Sequence, residues 1–440
     1  MNHFEEGAGG LACEGVALAR LAEAAGTPAY VYSTATLERH YGVFRDAVGA
    51  HPALSPPDRG EPLIAYAVKA NSNLSVLASL ARLGAGADTV SEGEIRGALK
   101  AGVAPGKVVF SGVGKTEGEI AFALEAGILQ INVESEPELR AVDALARDKG
   151  IAAPVAIRVN PDVEAGGHAK ISTGSASSKF GVPEREALAL YAWASTRPSL
   201  GPMGLACHIG SQITSLAPFE AAFSKMRSLA LALRAEGLAV ERLDLGGGLG
   251  VPYFDAPNPP TPADYARVAA EAMKGLDLAL IFEPGRVIAA NAGVLLTRVI
   301  RIKRRADGRR IIIVDAAMND LIRPAMYEAW HDIRPAARRK GAAEPCDVAG
   351  PVCESADVFA RDRPLPPLQR GDLLALMTAG AYGAVMASEY NGRPLVPEVL
   401  VQEDAFAIVR GRPSLEAMLE RDRLAPWLAS GPVPAPAEEC

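Results

Sequence analysis

From residue 64 to about 285 the chain alternates short apolar runs with longer amphipathic ones, and no other feature limits its fold so strongly. The strand-like runs are IAYAVK (64–69), ADTV (87–90), KVVF (107–110), LQINV (129–133), PVAIRVN (154–160), MGLACHI (203–209), RLDLGGG (242–248) and LALIFEP (278–284). Helical patterns lie between most of them. In NLSVLASLARLG (73–84), Leu74, Leu77, Ala78 and Ala81 fall on one helical face, and a glycine closes the run. Strands joined through helices run parallel, because each helix carries the chain back to the edge where it started. Eight such strands in roughly 220 residues predict a closed (β/α)8 barrel. An open, doubly wound sheet is the alternative.

After about residue 290 the texture changes. VLLTRVIRIK (294–303), RRIIIVDAAM (309–318), DLLALMTAG (372–380) and PLVPEVLVQE (394–403) read as strands broken by proline, glycine and charged turns. Long helical patterns are scarce until SLEAMLERDR (414–423). A second, mainly-β domain is predicted, as suits a chain of 440 residues. The last stretch, SGPVPAPAEEC, is rich in proline and alanine and is expected to be disordered.

Charge and cysteine usage exclude several functions. The net charge is −7, from 45 basic and 52 acidic residues, with no long basic run, so no nucleic-acid partner is expected. The five cysteines (Cys13, Cys207, Cys346, Cys353, Cys440) are odd in number and lack CxxC spacing, which suggests neither a disulfide framework nor a zinc site. The N-terminal MNHFEEGAGG has acids where a signal peptide needs a basic region. The longest uncharged run, 373–388, is shorter than a membrane span. A cytoplasmic enzyme without a membrane partner is expected.

In a (β/α)8 barrel, chemistry gathers at the carboxyl ends of the strands. Lys69 ends the first run, where an unpaired ammonium would be costly to bury. His208 lies in CHIGSQ, a glycine-rich turn follows in DLGGGLG (244–250), and Glu283 and Arg286 lie in FEPGR. Each has a plain alternative: a snorkelling lysine, a core histidine, a tight turn, a local ion pair. Together they match the needs of one cofactor, pyridoxal 5'-phosphate. Its aldehyde takes a lysine, its phosphate bare backbone amides, its ring a flat partner and its pyridine nitrogen a carboxylate.

AYAVKAN, HIGSQI (208–213), GGGLG, EPGR, GPVCES and GAYG follow in this order, with GTPAYVYS (26–33) and SSKFG (177–181) among them. This ordered set resembles the signatures of the fold-type III pyridoxal-phosphate-dependent decarboxylases over roughly residues 26–410. It is most similar to the branch that converts meso-2,6-diaminopimelate to L-lysine and CO2. The resemblance implies an alanine-racemase-like barrel over 28–288. It implies a mainly-β domain (sandwich or barrel) from 1–27 plus 289–425, with a disordered tail over 426–440. Lys69 would bond the cofactor aldehyde and His208 would stack on its ring. Ser211 and Gly248, with Pro284, Gly285 and Arg286, would hold the phosphate. Glu283 would meet the ring nitrogen and keep it protonated, where alanine racemases carry an arginine; this favours decarboxylation. Cys353 would return a proton to Cα and Glu354 would bind the distal ammonium, both donated across a homodimer interface. Arg286, Arg323 and Tyr327 would bind the distal carboxylate, and Tyr382 would approach phosphate and substrate. The loop 165–181 resembles a mobile segment over the site.

Alternatives within the class are decarboxylases of another basic amino acid or of carboxynorspermidine. Neither ornithine nor lysine would need the guanidinium at Arg323. A non-catalytic cofactor-binding regulator would lack the lysine or the cysteine, and both are present. A metal-dependent lyase would need clustered ligands, yet of six histidines only His208 falls at a strand end.

Overall fold

The computed structural model describes residues 2–7, 9–166, 173–174, 178–253 and 259–428. Eight parallel strands close into a barrel: β1 Leu63–Ala67, β2 Gly86–Thr89, β3 Val108–Phe110, β4 Gln130–Val133, β5 Ala153–Arg158, β6 Leu200–Ala206, β7 Arg242–Asp244 and β8 Ala279–Phe282. Each predicted run overlaps one of these strands; four strands begin one to three residues before their run, and most stop short of its end. The residues left over, such as Lys69, Asn160, Gly246 and Glu283, therefore lie in the rim loops. Helices between the strands sit on caps read directly from sequence. Thr116 and Glu119 form a reciprocal capping box ahead of Glu117–Ala126, and Gly127 ends that helix in the left-handed conformation. The main apolar core lies between strands and helices. Inside the barrel a smaller cluster of Ala65, Val109 and Ile281 is separate from it.

The second sheet has the strand order Val358–Leu365, Glu344–Ala349, Arg310–Val314, Gly293–Arg304, Ala29–Ser33, Glu398–Gln402, Ala405–Arg410. Strand Gly293–Arg304 is its hinge piece. One half pairs with Ala29–Ser33 and Leu373–Leu376, the other with Arg310–Val314. Ala29–Ser33 corrects the expected boundary at residue 28. All five residues of AYVYS are buried, and the strand is paired on both edges within the second sheet. The crossing falls at Ser33, whose Oγ accepts the Thr36 N–H at 3.0 Å and caps helix Thr34–Gly49 on the barrel side. The SLEAMLERDR pattern forms a helix only over Leu415–Leu419. Most of the tail 426–440 lies outside the described residues, as does much of the loop 165–181. Among the described residues no helix is long and apolar enough to cross a membrane.

Candidate active site

The carboxyl rim of the barrel opens into a cavity of about 450 Å³. Its walls include Lys69, His208, Ser211, Glu283, Arg286, Tyr327 and Tyr382. Lys69 lies in a single 3-10 turn, Val68–Ala70, that follows β1. Its Nζ is 2.6 Å from Asp88 Oδ2 at the end of β2; Asp88 is wholly buried and Lys69 keeps 31% exposure. Parallel register explains the meeting, since Ala67 of β1 pairs with Asp88 of β2. Burial alone would lower the lysine pKa. The carboxylates of Asp88 and Glu283, with Tyr382, outweigh it and hold the ammonium above its ordinary range.

Glu283 follows β8 and is buried, and its Oε1 has no hydrogen-bond partner among the described residues. Burial first, then the charges of Asp244 and Asp88, raise its pKa strongly. Asp244 ends β7 and is pushed up to about 6, chiefly by burial, although Asn132 Nδ2 and the Gly246 N–H both donate to it at 3.0 Å. The Asp244 charge raises Glu283, so one proton between these two buried neighbours is favoured over two bare charges. A buried carboxylate oxygen without a partner, on a residue that lines a cavity, calls for an N–H donor from a ligand.

His208, after β6, accepts the Gly247 N–H on Nδ1 at 3.2 Å, which leaves its proton on Nε2. Burial, then the charges of Lys69 and Arg158, keep it neutral. The glycines of 246–248 are demanded by close approach. A Cβ on Gly247 would stand 2.0 Å from the Glu283 carbonyl oxygen, and one on Gly248 2.5 Å from that of Gly210. Gly285 packs against the Lys69 turn in the same way, a Cβ there reaching Ala67 Cβ at 2.9 Å. The Pro284 carbonyl accepts the Ala67 N–H at 3.1 Å and helps to seal β8 to β1. Tyr382 adopts φ +55 and donates its N–H to Ala70 at 2.8 Å, which ties the second domain to the Lys69 turn.

A side cavity of about 140 Å³ shares Arg286 and Tyr327 with the main one and is also lined by Arg323 and Tyr253. Arg286 donates from Nη1 to Tyr253 OH at 2.7 Å and from Nη2 to Ser211 Oγ at 3.0 Å. Arg323 donates from Nη1 to His331 Nε2 at 2.9 Å, while His331 Nδ1–H donates to the Met377 carbonyl at 2.9 Å. Burial, aided by the Arg323 charge, drives the His331 pKa down to about 3, so it serves Arg323 as a neutral acceptor. Both guanidiniums are buried, and neither has an ion-pair partner among the described residues.

Cys353 and Glu354 do not join this group. Both are exposed on the turn after Glu344–Ala349, and the Cys353 N–H donates to Asn391 Oδ1 at 2.9 Å. The buried Asp357 carboxylate stiffens that turn by accepting the Val352 and Met318 N–H groups, each at 2.7 Å. Tyr253, His331 and the partnership of Asp88 with Lys69 are not among the residues the sequence singles out. Asp88 carried a local signal, an acid within an apolar run; the other two carried none. The SGVG turn (111–114), given no role from sequence, also lines the main cavity.

A family model described as pyridoxal-dependent decarboxylase, pyridoxal binding domain, matches residues 50–290. The diaminopimelate decarboxylase of Vibrio cholerae is 50% identical over 426 residues, which is 97% of this chain and 99% of that protein. The structure of diaminopimelate decarboxylase from Helicobacter pylori complexed with L-lysine superposes with TM-score 0.87 at 42% identity, over 92% of this chain and 98% of that one. The M. jannaschii enzyme in co-complex with L-lysine reaches TM-score 0.92 at 37% identity, over 97% and 100% of the two chains. The chain belongs to the diaminopimelate decarboxylases. Its cofactor is accordingly pyridoxal 5'-phosphate. The residues present fit that group: a lysine beside an acid, a flat neutral imidazole, a turn that tolerates only glycine, and the unpartnered buried oxygen of Glu283.

Proposed function

We propose that this chain removes one carboxylate of meso-2,6-diaminopimelate as CO2 and releases L-lysine. The observation that carries the reading is the pair of buried guanidiniums, Arg286 and Arg323, which have no carboxylate to neutralise them among the described residues. A buried charge of this kind is stable only with a counter-charge, and a ligand carboxylate supplies one. Substrates whose far end is only cationic would bring a third positive charge beside them.

Pyridoxal 5'-phosphate supplies, once bound, an electron sink for the bond to the departing carboxylate. The chain's residues hold and protonate around it. Lys69 must lose a proton to act as a nucleophile, and Asp88 is the acceptor at 2.6 Å. Glu283 would offer its unpartnered Oε1 to the pyridine N–H. His208 offers a neutral, flat face, and the Gly248 turn, Ser211, Gly285 and Arg286 cradle the phosphate. Arg286, Arg323 and Tyr327 grip the distal carboxylate, with Tyr382 closing the gap beside Lys69. Cys353 and Glu354 enter from a second copy of the chain in a homodimer; their exposure and the rigid turn beneath them support that reading. Cys353 delivers the proton to Cα, and Glu354 takes the distal ammonium. The free thiol at Cys353 suits the reducing cytoplasm.

The test is a direct assay. Purified protein with added cofactor is offered meso-diaminopimelate, L-ornithine, L-lysine and L-arginine in parallel, and CO2 and products are measured. Lysine formed from diaminopimelate alone is expected. Faster turnover of ornithine or arginine would overturn the roles of Arg286 and Arg323 and favour a decarboxylase of another basic amino acid.

A further inference from the structure

Glu134, immediately after β4, does not touch the cavity, yet its carboxylate collects three donors from three walls of it. Oε1 accepts from Arg158 Nη1 and from the Gly112 N–H, each at 2.7 Å, and Oε2 accepts the Gly181 N–H at 3.0 Å. Gly112 belongs to the turn after β3, Arg158 ends β5, and Gly181 closes the SSKFG segment. Gly112, Arg158 and Phe180 all line the cavity that holds Lys69, and the Arg158 guanidinium lies 5.0 Å from the Phe180 ring centroid. The Glu134 side chain is 1% exposed, so none of these bonds has a water substitute at hand.

We propose that Glu134 is a positioning residue for the decarboxylation, fixing the turns of Gly112 and Gly181 in one register and cancelling the charge of Arg158. This rests on the reading above that the cavity takes a dicarboxylate. Three donors on two oxygens need a carboxylate. A glutamine would turn an NH2 toward one of the N–H groups and leave that turn without an acceptor. It would also leave Arg158 as a third uncompensated guanidinium beside the cavity, drawing a substrate carboxylate away from Arg286 and Arg323.

The experiment uses holoenzyme with Glu134→Gln and Glu134→Asp. The aspartate keeps the charge and falls one methylene short. Hydrogen exchange, read without substrate, is expected to quicken at Gly112 and at 180–182 in both variants, with cofactor absorbance retained. KM for meso-diaminopimelate is expected to rise roughly tenfold with kcat lowered less than threefold, as for a lost charge-assisted hydrogen bond. Adding Glu134→Gln to Phe180→Ala is expected to raise KM less than it does alone, since both act through one segment. Unchanged exchange at both turns, full additivity with Phe180→Ala, a wild-type KM in Glu134→Asp, or loss of cofactor absorbance in both variants would each overturn the proposal. Failure of the dicarboxylate reading would instead appear in wild-type protein, as absent turnover of diaminopimelate with exchange at the two turns still dependent on Glu134.

Discussion

Lys69 and Asp88, 2.6 Å apart, set the first chemical problem of the site: a lysine held protonated where a free amine is needed. Asp88→Asn removes the largest force raising the Lys69 pKa and leaves burial to lower it. Covalent capture of the cofactor, followed by stopped-flow absorbance, is expected to reach half its limiting rate about one pH unit or more below the wild-type midpoint. An unmoved midpoint would show that Asp88 does not control the lysine. Asp244 makes a complementary prediction for cofactor-free protein. Its folded pKa, about 6, lies above the unfolded value of about 3.9. The folded state therefore binds more protons than the unfolded state across that window, and stability falls as pH rises through it. Asp244→Asn is expected to flatten the slope of melting temperature between pH 4 and 6; a slope as steep as wild type would assign the effect elsewhere. Lys69, His208 and Glu283 were legible in the sequence because a polar residue ending an apolar run is a local signal. The Lys69–Asp88 pair was not, because it depends on which strand lies beside which and in what register.

At the scale of elements, three strand ends meet so closely that the chain between them must be glycine. Gly247→Ala places a methyl group 2.0 Å from the Glu283 carbonyl oxygen, which must move or be moved. Cofactor affinity, read by absorbance titration, is expected to fall more than tenfold, since His208, Glu283 and the Gly246–Gly248 turn shift together. Near wild-type affinity would mean that the rim adjusts freely and that the glycines serve only folding. The barrel itself was readable because period 3.6 alternating with short apolar runs leaves few architectures. The membership of Ala29–Ser33 was not. An isolated buried strand carries no mark of which sheet it will join; that depends on free edges hundreds of residues away, here Gly293–Leu296 and Glu398–Val401.

For the whole molecule, Lys69 lies in the barrel cavity, whereas Cys353 is exposed on a turn of the second sheet that does not line it. If two copies share their sites, each site takes Lys69 from one chain and Cys353 from the other. Lys69→Ala and Cys353→Ala homodimers are then each nearly inactive, for different reasons. Mixing them under conditions that exchange subunits makes about half of the dimers mixed, by random pairing. Each mixed dimer has one site with both residues intact and one site with neither. About a quarter of wild-type activity is expected to return, with kcat per intact site unchanged. Activity that stays at the level of the separate variants, with exchange shown by native mass spectrometry, would place Lys69 and Cys353 in the same chain's site or remove Cys353 from the chemistry. The sequence alone reaches Cys353 only through the resemblance of GPVCES. Nothing local distinguishes an exposed cysteine that serves a neighbour from one that serves nothing, and only the geometry of two chains can separate them.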